Sequence, residues 1–390
     1  MSKKTGRKVS VWKKITTALF FTIILLLIGI TIITPKKTMS EEENIMLASF
    51  PKITIKRIFD GKFMQDFDEY LSDHFAFRTK WIKAETNIQK GLGKSEINGV
   101  FITSDRMILD VGNPDEKAVQ SSIEAINRYK QEFGKDKQVA LMLVPTAAEI
   151  YRSTYNSFAP VLDQTDFIQG VYGQMAGVDT VDVFTSLNAA QDSYIYYRTD
   201  HHWTSYGAYI GYATLSKTLG YNAIGRDMFN VEHASDSFLG TIYSKVLTNT
   251  ELADTIDLYY YSGKNVVEEV EVYNGENTQR YQSIFFREHL DTKDKYSTFL
   301  GTNQPIVTVR TNVNNGQKLL MFKDSYSHEL VQFLCQHYEE ITLLDMRYIN
   351  MDFTQLVDPN DYTQTLFIYN VGSFITDSSL RRLNLASNNS

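Results

Sequence analysis

The chain has 390 residues, 43% of them hydrophobic and 13% aromatic, with a formal net charge of −7 and one cysteine. That length holds one large domain or two modest ones, and the aromatic content excludes a disordered or low-complexity chain. Cys335 alone forms no internal disulfide, no Cys/His cluster has structural-zinc spacing, and the acidic balance argues against a nucleic-acid partner.

Residues 1–14 hold six basic side chains (Lys3, Lys4, Arg7, Lys8, Lys13, Lys14) and no acid. They run into Ile15–Thr34, 20 residues without charge. That is about the length a helix needs to span a bilayer core. Cations before the span predict a cytoplasmic N-terminus and an extracytoplasmic remainder, a single-pass protein of the cell membrane. A cleaved signal peptide is the alternative. The apolar run exceeds the usual signal core, and Pro35, Lys36 and Lys37 follow it instead of a small-x-small site, which favours an uncleaved anchor. No cysteine follows the span to carry a lipid. Residues 35–55, with the acidic run Glu41–Glu43, read as a stalk.

Residues 56–90 carry Phe59, Phe63, Phe67, Tyr70 and Leu71 at helical spacing. They predict an amphipathic helix packed on a main domain that spans 56–390. Val100–Thr103 and Met107–Asp110 predict a hairpin. Asn113-Pro114-Asp115-Glu116 predicts a helix start, with a cap, a proline at the first position and acids behind it. Val119, Ile123, Ile126 and Phe133 form that helix's apolar face, and Gly134 ends it. Val139–Val144 is a continuous apolar run, as in a strand buried on both faces. Thr180–Phe184 and Tyr194–Tyr197 predict further strands. Thr204–Leu219 predicts a helix with Tyr206, Tyr209, Ile210 and Ala213 inward.

Ile306–Arg310, Lys318–Phe322, Glu340–Leu344 and Thr365–Tyr369 predict strands. Tyr326–His337 lies between two of them as a helix, with Leu330, Phe333, Leu334 and His337 on one face. This alternation implies an α/β sandwich, a mostly parallel sheet covered by helices. Residues 233–300 interrupt it. Tyr259–Tyr261 and the alternating Val266–Tyr273 predict a β-rich insertion there, and its aromatics (Phe238, Tyr243, Tyr273 among them) are either packing residues or platforms for sugar rings.

Two motifs carry chemistry. In Lys318–Ser327 a buried strand ends, Lys323-Asp324-Ser325 follows, and a helix begins. Ser325 then sits at the carboxyl edge of the sheet, where open α/β sheets bind ligands, and at a helix N-terminus suited to a developing oxyanion. An ordinary N-cap at Asp324 or Ser325 is the alternative. In Tyr197–Thr204 an acid precedes two adjacent histidines and a tryptophan. A serine nucleophile needs a base, and the base needs an acceptor that fixes its tautomer. In an extended loop Asp200 and His202 point to one side, so one segment can supply both. Asp200, His201 and His202 could also ligate a divalent cation, but no supporting acidic motif accompanies them and His233, His289 and His328 stand apart, so no metal and no cofactor is expected.

Together the motifs resemble the SGNH-hydrolase-like proteins of the DHHW family, whose tetrapeptide stands at Asp200-His201-His202-Trp203. That family is similar to the periplasmic alginate O-acetyltransferases, with their T-D-x-H-W and G-D-S-x-S motifs. Thr199–Trp203 matches the first, and Lys323–Ser327 matches the second except that Lys323 replaces glycine. The resemblance extends over about 56–380, including Gly93–Val100 and Val144-Pro145-Thr146. It implies an SGNH-like three-layer sandwich in which Ser325 is the nucleophile, His202 the base and Asp200 its orienter, with His201 beside them. The reversed order Asp–His–Ser also occurs in the alginate-type proteins. Lysine denies the backbone freedom of glycine at 323, so either the turn is regular or the Lys323 charge has a role of its own. The Ser325 N–H is the first oxyanion donor, Asn303 and Asn370 are candidates for a second, and Arg347 is either in the same cleft or salt-bridged.

The resemblance implies O-acetyl transfer to a polysaccharide or cell-wall glycan at the cell surface. Acetyl-CoA is not available there, so the implied donor is a membrane-bound O-acyltransferase. A glycan acyl esterase and a non-catalytic glycan-binding assembly protein remain the alternatives.

Overall fold

The computed structural model describes residues 11–155, 161–250, 252–264 and 266–383. Residues 1–10, with Lys3, Lys4, Arg7 and Lys8 of the basic tail, lie outside the described residues. The chain forms two compact units, Met1–Lys94 with Ser244–Asn249, and Ser95–Tyr243 with Thr250–Ser390.

The first unit opens with α1 (Val11–Ile33), long and apolar enough to cross a membrane and almost without buried residues. The one amphipathic helix predicted over 56–90 is instead three, α2 (Ile55–Phe59), α3 (Lys62–Asp73) and α4 (Arg78–Gly91). Left-handed residues break it, Gly61 at φ 76° and Phe77 at φ 62°. Its aromatics pack on each other: Phe63 stacks on Phe67 at 5.8 Å, and Phe50 meets Phe67 and Tyr70 edge-on. These helices belong to this unit and not to the start of the larger one.

The second unit begins with an antiparallel sheet, β1 (Glu96–Ile97), β2 (Val100–Ile102) and β3 (Met107–Leu109). Helix α5 (Glu116–Phe133) follows. Asp115 caps it by accepting from the Lys117 and Ala118 N–H groups, so the start falls two residues beyond the predicted one and Pro114 stands outside. Then come β4 (Gln138–Val144), α6 (Gln164–Tyr172), β5 (Asp179–Thr180), α7 (Ser205–Leu219) and the pair β6 (Phe229–Phe238) and β7 (Asp254–Tyr261). The chain ends with β8 (Val267–Tyr273), β9 (Thr278–Tyr281), β10 (Ile306–Thr311), β11 (Lys318–Lys323), α8 (Ser327–Leu334), β12 (Glu340–Leu344) and β13 (Gln364–Asn370).

Eight strands form one sheet in the order β9-β8-β10-β12-β11-β13-β4-β5. The run from β12 to β5 is parallel; β9, β8 and β10 extend it antiparallel. The predicted β-rich insertion is therefore only partly separate: β6 and β7 pair with each other, while Val267–Tyr281 widens the main sheet.

Alternate strand residues face two cores, which makes three layers. Met142, Val144, Leu319 and Met321 pack with Ala208, Tyr212 and Leu215 of α7 and with Leu330 and Phe333 of α8. Leu141, Leu143, Leu320 and Phe322 pack with Ile123, Ile126 and Tyr129 of α5 and with Ile168 of α6.

Other expectations shift. Of Thr180–Phe184 only Thr180 is in a strand, the two-residue Asp179–Thr180, and Phe184 opens a helix at Phe184–Ala189; Tyr194–Tyr197 makes a single bridge, Tyr196 to Trp203. In α7 the inward residues are Gly207, Ala208, Gly211, Tyr212 and Leu215; Tyr206, Tyr209, Ile210 and Ala213 are half-buried. Gly207 and Gly211 seat Trp203, since a Cβ on either would lie 2.9 Å from it. Helix α8 is buried on every side rather than on one face, and it ends before Cys335.

Candidate active site

In a parallel sheet every strand delivers its carboxyl end to one edge. The ends of β11, β13, β4 and β12 bring Ser325, Asn370, Thr146 and Asp345 there. Asp324 ties two of these ends together. Its Oδ2 accepts from Asn370 N (2.7 Å) and Nδ2 (2.6 Å), and its Oδ1 accepts from Tyr326 N (2.9 Å). Ser325 is left half-exposed at the apex, and its N–H has no partner among the described residues.

A second segment folds over this edge. Buried Asp254 holds it by accepting from Arg198 N (2.7 Å), Thr199 N (2.8 Å) and Thr199 Oγ1 (2.5 Å). Beyond Thr199 the chain bends rather than extends, and Asp200 Oδ1 accepts from both the His202 N–H (3.0 Å) and Nδ1 (2.6 Å). A carboxylate only accepts, so Nδ1 carries the ring proton. His202 Nε2 is thereby an acceptor, and it lies 2.7 Å from Ser325 Oγ. Asp200, His202 and Ser325 are thus one hydrogen-bonded chain, assembled across 123 residues of sequence. Such a chain can withdraw the Oγ proton as the oxygen attacks a carbonyl carbon.

Asp200 is buried, which by itself raises its pKa. His201, His202 and the Thr241 N–H outweigh burial and hold the carboxyl well below the usual carboxylate range. Thr241 donates to Asp200 Oδ2 through both N (2.7 Å) and Oγ1 (2.9 Å). Gly240 makes room for this, because a Cβ there would lie 2.3 Å from Asp200 Cβ. Trp203 donates Nε1–H to Tyr326 O at 3.0 Å, locking the two motifs together.

Tyr296 completes the site. Its ring stacks on His202 at 3.6 Å, and its hydroxyl donates to Ser325 O at 2.8 Å. Neither Tyr296 nor Thr241, Gly240 and Asp254 carries a local sequence signal. All stand in the stretch read as insertion, and only chain folding brings them here.

The remaining candidates divide. His201 stays beside His202, 3.8 Å between ring centres, with Nδ1 2.7 Å from Thr241 Oγ1. Burial and the neighbouring His202 push its pKa down to about 4. Asn370 has its amide protons engaged by Asp324 and Ser373 (2.8 Å), which removes it as an oxyanion donor. Arg347 chelates Asp345 (2.8 and 2.6 Å).

Lys323 is fully buried. Its ammonium has three acceptors for three protons: His328 Nε2 (2.9 Å), Asn303 Oδ1 (3.0 Å) and Asp345 Oδ2 (3.3 Å). His328 is therefore not isolated. Its Nδ1–H faces Phe299 O at 3.0 Å, and burial plus the Lys323 charge keep it neutral, its pKa well below the usual value. The lysine that replaces glycine fastens Asn303 by its oxygen, leaving the Asn303 Nδ2 uncommitted among the described residues.

The donor atoms of Asp200, His201 and His202 lie within 4.8 Å of one another. Asp200 and His202 are committed to Thr241 and Ser325, so a cation would have to break the chain just described. Of the suggested sugar platforms Phe238, Tyr243 and Tyr259 are buried packing residues, Tyr261 and Tyr273 are half-buried and Tyr260 is exposed. Burial raises the Cys335 thiol to about 12, so it offers no thiolate.

A cavity of about 350 Å³ adjoins the site, lined in part by Leu109, Val111, Thr146, His201, Ile242 and Tyr326.

The family model described as DHHW protein matches residues 117–344. A DHHW family protein from Eubacterium siraeum shares the fold with a TM-score of 0.63 at 25% identity, covering 74% of this chain and 96% of that one. PatB1 of Bacillus cereus matches at 0.62 and 17%, covering 72% and 98%. The O-acetyltransferase domain of Pseudomonas putida AlgJ matches at 0.45 and 14%, covering 72% and 93%. No curated protein matches. With the family model spanning more than half of its length and the DHHW tetrapeptide at the hydrogen-bonded edge of the sheet, the chain belongs to the DHHW family.

Proposed function

We propose that the chain is a membrane-anchored extracytoplasmic O-acetyltransferase acting on a cell-surface or secreted polysaccharide. The observation that carries this reading is the Asp200–His202–Ser325 chain, with both hydrogen bonds under 2.8 Å. His202 Nε2 takes the Ser325 Oγ proton as Oγ attacks the acetyl carbonyl, and Asp200 stabilises the imidazolium. The Ser325 N–H and the Asn303 Nδ2 group are the donors for the oxyanion. Collapse of the tetrahedral intermediate expels the donor alcohol, protonated by His202, and leaves acetyl-Ser325. A sugar hydroxyl then gives its proton to His202 and attacks the acetyl carbon, which releases Ser325 and forms the new ester. The cavity along His201 and Tyr326 offers room for the acceptor. An acyl donor outside the cytoplasm requires a relay, for which a membrane-bound O-acyltransferase partner fits.

The test uses the purified full chain with a chromogenic acetyl ester, with and without an oligosaccharide acceptor. Acetylated oligosaccharide supports transfer, and release of acetate alone assigns an esterase. Ser325→Ala and His202→Ala are expected to abolish either activity; unchanged activity in both overturns the mechanism.

A further inference from the structure

Helix α4 presents its apolar stripe outward. Phe77, Trp81, Ala84, Ile88 and Leu92 recur at spacings of three, four and seven, so they fall within one arc of the helix. All five are exposed, Leu92 by 83%, while the opposite face buries Thr86. A helix bathed in water has the reverse arrangement. The stripe runs about 22 Å from Phe77 to Leu92. Phe77 also holds a left-handed backbone that a bulky residue rarely adopts, although it fills no core position.

Three observations identify what covers this face. The first is continuity with α1. The Ala76 N–H donates to Thr31 Oγ1 at 3.0 Å, in the last turn of α1, and the Trp81 Nε1–H donates to Ala76 O at 3.1 Å. Trp81 is thus tied through one residue to the point where the apolar helix ends. The second is charge. Residues 50–94 carry nine basic and six acidic side chains in a chain whose total is −7. The third is residue type, since tryptophan, phenylalanine and lysine at the end of a span are the side chains that settle at a lipid headgroup layer.

We propose that the α4 stripe lies in the interface of a bilayer containing acidic phospholipid, as a second membrane contact beside α1. The proposal rests on the reading of α1 as an uncleaved span. The apolar stripe replaces water with acyl-chain boundary, and Lys80 and its neighbours meet the lipid phosphates.

The chain has three tryptophans, and Trp203 is fully buried in the second unit. Trp12 and Trp81 can therefore report separately. The full-length chain is reconstituted into phosphatidylcholine/phosphatidylglycerol vesicles whose lipids carry bromine near the headgroup. In Trp12→Phe, the quenchable emission of Trp81 is expected to fall about twofold on bromination. In Trp81→Phe, quenching of Trp12 reports insertion of α1. Quenched Trp12 with unquenched Trp81 overturns the proposal while leaving the anchor intact, and it assigns the stripe to a protein partner. Unquenched Trp12 removes the anchor and the proposal together. Equal Trp81 quenching in purely zwitterionic vesicles overturns the part assigned to acidic lipid.

Discussion

The ring of Tyr296 lies flat on the imidazole of His202, with 3.6 Å between centres and 5° between planes. The same residue donates its hydroxyl to the Ser325 carbonyl. One side chain therefore sets the base and the serine backbone at once. Tyr296→Phe keeps the stack and loses the hydroxyl bond, about 1 kcal/mol or roughly fivefold in rate. Tyr296→Leu frees the imidazole and is expected to cost about 100-fold. The measurement is the rate at which a fluorophosphonate labels Ser325, followed against pH. A purely structural role would lower the melting temperature of both variants without separating their labelling rates.

Asp200→Asn keeps the shape of the side chain but no longer selects the Nδ1–H form of His202. Turnover is expected to drop about 10³- to 10⁴-fold, the scale for a serine–histidine site that loses its orienting carboxylate. Circular dichroism should show the domain still folded. A collapse of the melt would assign Asp200 to structure instead.

Gly240→Ala sets a methyl group against Asp200, where the contact is with the carboxylate-bearing Cβ and not with the tip of a flexible chain. Displacing Asp200 should weaken both Thr241 bonds. Destabilisation of about 1–3 kcal/mol is expected, with at least a tenfold loss of Ser325 labelling. Wild-type labelling in a folded Gly240→Ala protein would contradict the packing described.

Lys323→Gly restores the residue found in the related motif but strips the cation from a fully buried site. Asn303, His328 and Asp345 each lose a donor, although Arg347 still pairs Asp345. Breaking a buried pair in this way costs about 3–5 kcal/mol. Urea unfolding checks the stability. A separate loss of labelling beyond that of the folded fraction would show that Asn303 needs its anchor.

The His201 pKa, lowered to about 4 by burial and by His202, gives a signed pH effect. Unfolded, the ring takes a proton near pH 6.5; folded, it resists until about 4. Between these values the unfolded chain binds more protons, so this stability is complete above about 6.5 and is lost as pH falls toward 4. Glu329, raised well above its usual value by burial, works in the opposite sense, so the informative quantity is a difference. The fall in melting temperature from about pH 7 to about pH 5 should be smaller in His201→Asn than in the wild type.

Local pattern alone revealed much of this protein. The uncharged run before Pro35, the apolar runs of β4, β11, β12 and β13, and the Asp200–Trp203 and Asp324–Ser325 motifs are signals within a few residues, where hydrophobic period and turn chemistry act directly. Tertiary structure decided the rest, because it depends on contacts that no window spans. Parallel pairing set Asn370 against Asp324 and closed it as an oxyanion donor, while a buried cation at Lys323 left Asn303 open. Close backbone approach required glycine at 240, and a ring from distant Tyr296 fixed the base. Periodicity also misjudged α8, which has no solvent face because helix and sheet enclose it on all sides. It read 56–90 as one amphipathic helix, whereas left-handed Gly61 and Phe77 break it into three and α4 turns an apolar stripe outward. Hydrophobic spacing records that a face avoids water; only the fold shows what that face meets instead.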